Sequence, residues 1–162
     1  MTKNDPATLN TVEAREIAKQ VEVEFAILLS VEHSLRLALQ WMTRDRGNGH
    51  KLSTLRFVAR SFERHLTRTR ILADHRGYMH FVTDANPHLT GDVETLSDAR
   101  KELQADFERI ILRLEYVSPN DAAEFEIVCA ELECYLDRLK AFSQQEIDLI
   151  QHSFIQEEGG EG

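Results

Sequence analysis

Two segments of this chain keep an alternating spacing of threes and fours without a slip. That regularity restricts the fold more than any other feature. Val93, Leu96, Arg100, Leu103, Phe107, Ile110, Leu114 and Val117 form one run. Phe125, Val128, Leu132, Tyr135, Leu139, Phe142, Glu146 and Leu149 form the other. A period near 3.5 places each run on one face of an α-helix and suits left-handed bundle packing.

Two looser stripes precede them. Ile17, Val21, Leu28, Val31, Leu35, Ala38 and Met42 predict a first helix over about 12–45, with Asn10 and Glu13 as its capping box. Leu55, Ala59, Phe62, Leu66, Thr69 and Ala73 predict a second over about 53–76. Arg46-Gly47-Asn48-Gly49 separates the two, and Gly77 stands where a C-terminal cap belongs. The stretch from Gly77 to Leu89 has room for a short helical turn. The third helix is expected over about 90–117. The fourth is expected to open with Ser118 as cap, Pro119 at the first helical position and Asp121 three residues after the cap. Short connections after the first and third helices force antiparallel neighbours. The expected fold is all-α: one domain over 1–162, an antiparallel up-down four-helix bundle, with about 1–10 and 156–162 flexible. At 162 residues the chain is long enough to bury a core without staples.

Charge narrows the partners. The formal net charge is -9, whereas nucleic acid and anionic membrane both require a basic footprint. Neither is expected, which leaves an unknown protein as the possible partner. Arg56, Arg60, Arg64, Arg68, Arg70 and Arg76 cluster in one segment, but Glu63 and Asp74 interrupt them, so the segment reads as a solvated helix face. No apolar run is long enough to span a membrane. Residues 1–10 hold no apolar stretch of the secretory kind. Cys129 and Cys134 lie five apart on a helix and diverge, so they are expected to be reduced, buried thiols. A cytoplasmic location follows from these readings.

The informative residues are charges on apolar stripes. Arg100 and Glu146 take inward positions of the third and fourth helices. Glu24 and Glu32 fall on stripes of the first helix, and Arg70 and Asp74 form an i,i+4 pair in the second. A lone buried charge costs several kcal/mol, so each must be paired, bound to an ion or tilted to water. The seven histidines include no i,i+4 pair, and no Glu-x-x-His, His-Glu-x-x-His or paired Cys-x-x-Cys occurs. No phosphate loop or nucleophilic triad is present, and no enzyme is expected.

The order of these pieces resembles hemerythrin-like (HHE cation-binding) domains. Glu32-His33 resembles the Glu-His that opens that family's site. The segment from Arg70 to Met79 resembles its His-Phe-x-x-Glu-Glu-x-Gly-Tyr-Met. Pro87-His88-Leu89 resembles the Pro-x-Leu before its third helix. Leu96 to Arg100 sits where the family has Leu-Arg-x-Glu-His. Phe142 to Gln151, with Gly159-Gly160 beyond, resembles its closing His-Glu-x-x-Glu-Asn-x-Leu-x-x-Glu and Gly-Gly tail.

The resemblance implies a non-haem diiron site inside the bundle. Carried over by position, His33, Asp74 and Glu146 keep ligand-type side chains, whereas Arg70, Arg100 and Phe142 replace histidines. A guanidinium cannot bind a cation. The resemblance therefore implies a domain that has lost its diiron site, holds no cofactor, and plays a structural, regulatory or protein-interaction role. In place of the metal a buried ion-pair network of Arg70, Asp74, Arg100, Glu146 and Glu32 is expected. The alternative is iron binding, diiron or mononuclear, or oxygen or redox sensing through an altered set that adds His75 or Glu32. A one-turn shift in the second helix would instead turn His65 inward.

Overall fold

Side chains repeating every three or four residues remove most apolar area from water when the backbone is helical. All four stripes fold that way. The computed structural model describes residues 11–43, 47–74 and 77–158, apart from the side chains at positions 11–15, 17, 18, 74, 78, 81 and 154–158. Its elements are α1 (Thr11–Gln40), α2 (Gly49–Asp74), α3 (Tyr78–Ala85), α4 (Thr90–Tyr116) and α5 (Ala122–Glu158), with a 3-10 turn at Pro87–Leu89. The described residues contain no strand. α1 packs on α2, α2 on α4, α4 on α5 and α5 back on α1, while α3 touches α2, α4 and α5. The core runs through Leu35, Leu55, Phe62, Phe107, Leu114, Val128, Leu132 and Tyr135, all essentially without exposure.

The boundaries correct the sequence reading in four places. α1 stops at Gln40, and Met42, assigned to the stripe, is exposed because the helix ends before reaching it. The backbone tightens there, with the Trp41 N–H donating to the Ala38 carbonyl at 3.3 Å, and Gly47 takes a positive φ of 67° in the turn. α2 starts earlier than expected, the Leu52 N–H donating to the Asn48 carbonyl at 2.9 Å. The cap of α5 is Asp121 rather than Ser118. Its Oδ1 accepts the Glu124 N–H at 3.1 Å, because Pro119 and Asn120 first make a turn closed by the Asp121 N–H on the Ser118 carbonyl at 3.1 Å. Gly77 begins α3 in extended backbone instead of ending α2 in the left-handed region. It is required for a different reason: a Cβ there would overlap the Leu72 and Ala73 backbone.

The arginine segment of α2 is not simply a solvated face. Arg56 donates to the carbonyls of Leu114, Glu115 and Val117 at 2.7, 2.8 and 3.1 Å. These acceptors lie at the C-terminal end of α4, where helices leave carbonyls unsatisfied and favour cations. Arg60 pairs with Glu63 and Glu115, and Arg68 with Glu24. Cys134 is exposed and Cys129 half-buried, so the expectation of two buried thiols fails. Burial pushes the Cys129 thiol up from its ordinary value. No described helix is long and apolar enough to cross a membrane. The capping box at Asn10 and Glu13, together with Arg76 and the Gly159-Gly160 tail, lies outside the described residues.

Candidate functional site

The unbroken stripes of α4 and α5 carry Arg100 and Glu146 into the core, because an inward register position keeps its direction whatever side chain it holds. Both are buried, at 9% and 4% exposure. A guanidinium N–H of Arg100 donates to Glu146 Oε1. The same guanidinium stands over the Phe142 ring, 5.5 Å from its centroid. Phe142 precedes Glu146 by one helical turn, so α5 presents a ring face and a carboxylate side by side to one cation. A buried pair of this kind adds little net stability, but removing one partner strands the other charge at a cost of about 3 to 5 kcal/mol.

Around the pair lies a cavity of about 30 Å³ to which all four long helices contribute. α1 supplies Phe25 and Leu28. α2 supplies Leu66, Thr69 and Arg70. Leu103 and Gln104 come from α4, and Leu139 and Ser143 from α5. Such a space is on the order of one or two water molecules. Arg70 thus reaches the place the sequence suggested and lines the same cavity as Arg100 and Glu146. The second stripe already placed Thr69 inward, but neither it nor Gln104 nor Ser143 was counted among the candidate site residues. The usable signal was their position beside, or one turn from, a charged misfit.

The other candidates stand elsewhere. His33 is exposed on α1. Glu32 accepts from Arg36 Nε at 3.0 Å, and Arg36 continues to Asp137 of α5 at 3.0 Å. Glu32 therefore belongs to an α1–α5 bridge, separate from the Arg100–Glu146 contact. Burial would lower the proton affinity of Arg36, but its hydrogen bonds to Glu32 and Asp137 outweigh this and hold it above the ordinary value. His65 is part-buried between α1 and α2, its Nδ1 3.1 Å from Glu24 Oε2 of α1, and it is not among the residues that line the cavity. The Asp74 side chain and His75 lie outside the described residues.

Among the described residues the donor chemistry does not fit a diiron centre. Around the cavity the resemblance's ligand positions hold two guanidiniums, a phenyl ring and one carboxylate already bonded to Arg100, while His33 faces solvent. Among the described residues no group of three or more His, Cys, Asp and Glu side chains could hold a metal ion. No protein-family model, curated protein or solved structure matches the chain.

Proposed function

We propose that this chain is a hemerythrin-like, antiparallel up-down four-helix domain in which an Arg–carboxylate contact takes the place of the metal centre. Its role is structural or regulatory and is exerted through protein contacts, not catalysis. The observation that carries this reading is the buried Arg100–Glu146 pair under Phe142, at positions where the resemblance calls for ligands. The cavity beside this pair, at about 30 Å³, is too small to take an organic substrate at that place, since such a molecule needs a pocket of about 300 Å³ or more. Connections of eight residues after α1 and five after α4 support the up-down order.

The test is metal analysis with an absorption spectrum, on protein expressed with added iron and purified in air. The expected result is a folded helical protein without stoichiometric metal. Stoichiometric iron with near-ultraviolet bands of an oxo-bridged pair would overturn the reading and restore an oxygen-handling role.

A further inference from the structure

The solvent face of α1 is built unlike that of any other long helix. From Val23 to Met42 the exposed residues are Val23, Ala26, Leu29, Ser30, His33, Ser34, Leu37, Gln40, Trp41 and Met42, and none is Asp, Glu, Lys or Arg. Leu29 is 62% exposed, Leu37 55% and Trp41 52%. The charges this stretch does carry are turned sideways and paired. Glu24 goes to His65 and Arg68, Glu32 to Arg36, and Arg36 to Asp137. The outer faces of α2, α4 and α5 all carry exposed charges, among them Arg60, Glu108 and Glu133. From Val23 onward this outer face is uncharged and mostly apolar, whereas the first part of α1 exposes Glu16, Lys19 and Glu22. An uncharged, mostly apolar outer face belongs to a helix with a neighbour on that side too.

We infer that a second copy of this chain docks on that face, α1 against α1, in antiparallel two-fold symmetry. Three observations select a second copy over another protein. The first is charge. Each molecule carries -9, so two copies repel overall, and that repulsion is least across a face without charges such as this one. The second is self-complementarity of size. An antiparallel copy crossing near position 32 sets Ser30 beside Ser34, Leu37 over Ala26 and Trp41 against Val23. Ser30 and Ser34 then meet beside His33 where the helices approach, and the larger Leu37 and Trp41 lie toward the diverging ends, as a patch that is its own partner requires. The third is area. The helical part of this face, Val23 to Gln40, is about 27 Å long at about 1.5 Å per residue. Burying about 500 Å² on each copy reaches the threshold of about 1,000 Å² for a specific interface. The contact is thus sufficient for a reversible dimer, and no larger. This inference goes beyond the core reading and stands whether or not that reading holds.

The experiment is sedimentation velocity on the full chain over a concentration series at low and high salt, with Trp41 emission recorded in parallel. Trp41 is the single tryptophan and lies on the proposed contact. The expected result is a dimer that strengthens with salt as like-charge repulsion is screened. Trp41 emission should move to shorter wavelength as the dimer fills. The double variant Leu29→Glu with Leu37→Glu should weaken association by about a hundredfold or more, since it sets carboxylates against an apolar face and each other. Its circular dichroism should be unchanged, because both sites are exposed. Phe57→Glu, on the exposed side of α2, should dimerise like wild type. A wild-type chain that stays monomeric throughout overturns the inference. So does a dimer that survives the double variant, or one that salt weakens.

Discussion

The core has two layers built on the same helical register and opposite chemistry. In one, Phe62, Phe107 and Tyr135 stack, with Phe62 edge-on to Phe107 at 5.2 Å between centroids and Phe107 tilted on Tyr135 at 4.9 Å. In the other, Arg100, Phe142 and Glu146 meet. Arg100 lies two turns before Phe107 on α4, and Phe142 two turns after Tyr135 on α5, so the same stripes deliver both layers. The difference lies in what each tolerates. The aromatic layer depends on volume, and its loss is graded by the cavity left behind. The ionic layer depends on having both partners, since either alone is worse than neither.

That contrast can be broken at several points. The largest loss is expected from Phe107→Ala, about 4 kcal/mol by urea denaturation, because a ring between two other rings leaves a cavity that cannot collapse. Arg100→Leu should cost about 3 kcal/mol or more by stranding the Glu146 carboxylate. If that variant unfolds like wild type, the pair is not what holds this layer. The sharper form is the double variant Arg100→Leu with Glu146→Leu, expected to recover to within about 1 kcal/mol of wild type. A double variant no better than the single would mean that the layer needs its charges for more than mutual satisfaction.

Tyr135 tests the aromatic layer from the polar side. Its hydroxyl is buried with no hydrogen-bond partner among the described residues, and burial pushes the phenol well above its ordinary range. Tyr135→Phe should therefore be neutral or stabilising by about 1 kcal/mol at neutral pH. The sign of the pH effect follows from the raised folded value. The unfolded phenol ionises first, so the wild type should lose stability as pH rises past about 10, and Tyr135→Phe should lack that part of the loss. The smallest expected effect lies at the surface. Burial would raise the Asp106 carboxyl, but hydrogen bonds from Arg138 and Arg109 outweigh it and hold it below the ordinary range. Its contribution is present above the unfolded value and lost as pH falls through the folded one. Asp106→Asn should lower stability at neutral pH by no more than about 1 kcal/mol, leave stability in strong acid unchanged, and so slightly flatten the acid limb of a stability–pH curve.

The legible part of the site was its anomaly. Arg100 and Glu146 stood out because every neighbour on their stripes is apolar. Glu32 stood out in the same way and was grouped with them, yet it bridges through Arg36 to Asp137. A stripe reports that a charge is misplaced and does not report which neighbour satisfies it, because the partner comes from another helix. α3 was legible only as a possible turn, since an eight-residue helix is too short for a period to show. The outward leucines of α1 were passed over because Leu29 and Leu37 look like extra apolar residues until burial separates one face from the other.

What the sequence determined alone was local and periodic: four long helices, the side each turns inward, and two charges carried in with them. A side chain's place on a helix follows from backbone geometry and needs no partner to be known. The tertiary structure decided everything that depends on two elements meeting. It joined Arg100 to Glu146 beneath Phe142, sent His33 to solvent, used Arg56 to satisfy the end of α4, and left the second apolar face of α1 uncovered. These outcomes turn on distances between helices, and such distances are set by the packing of all of them at once.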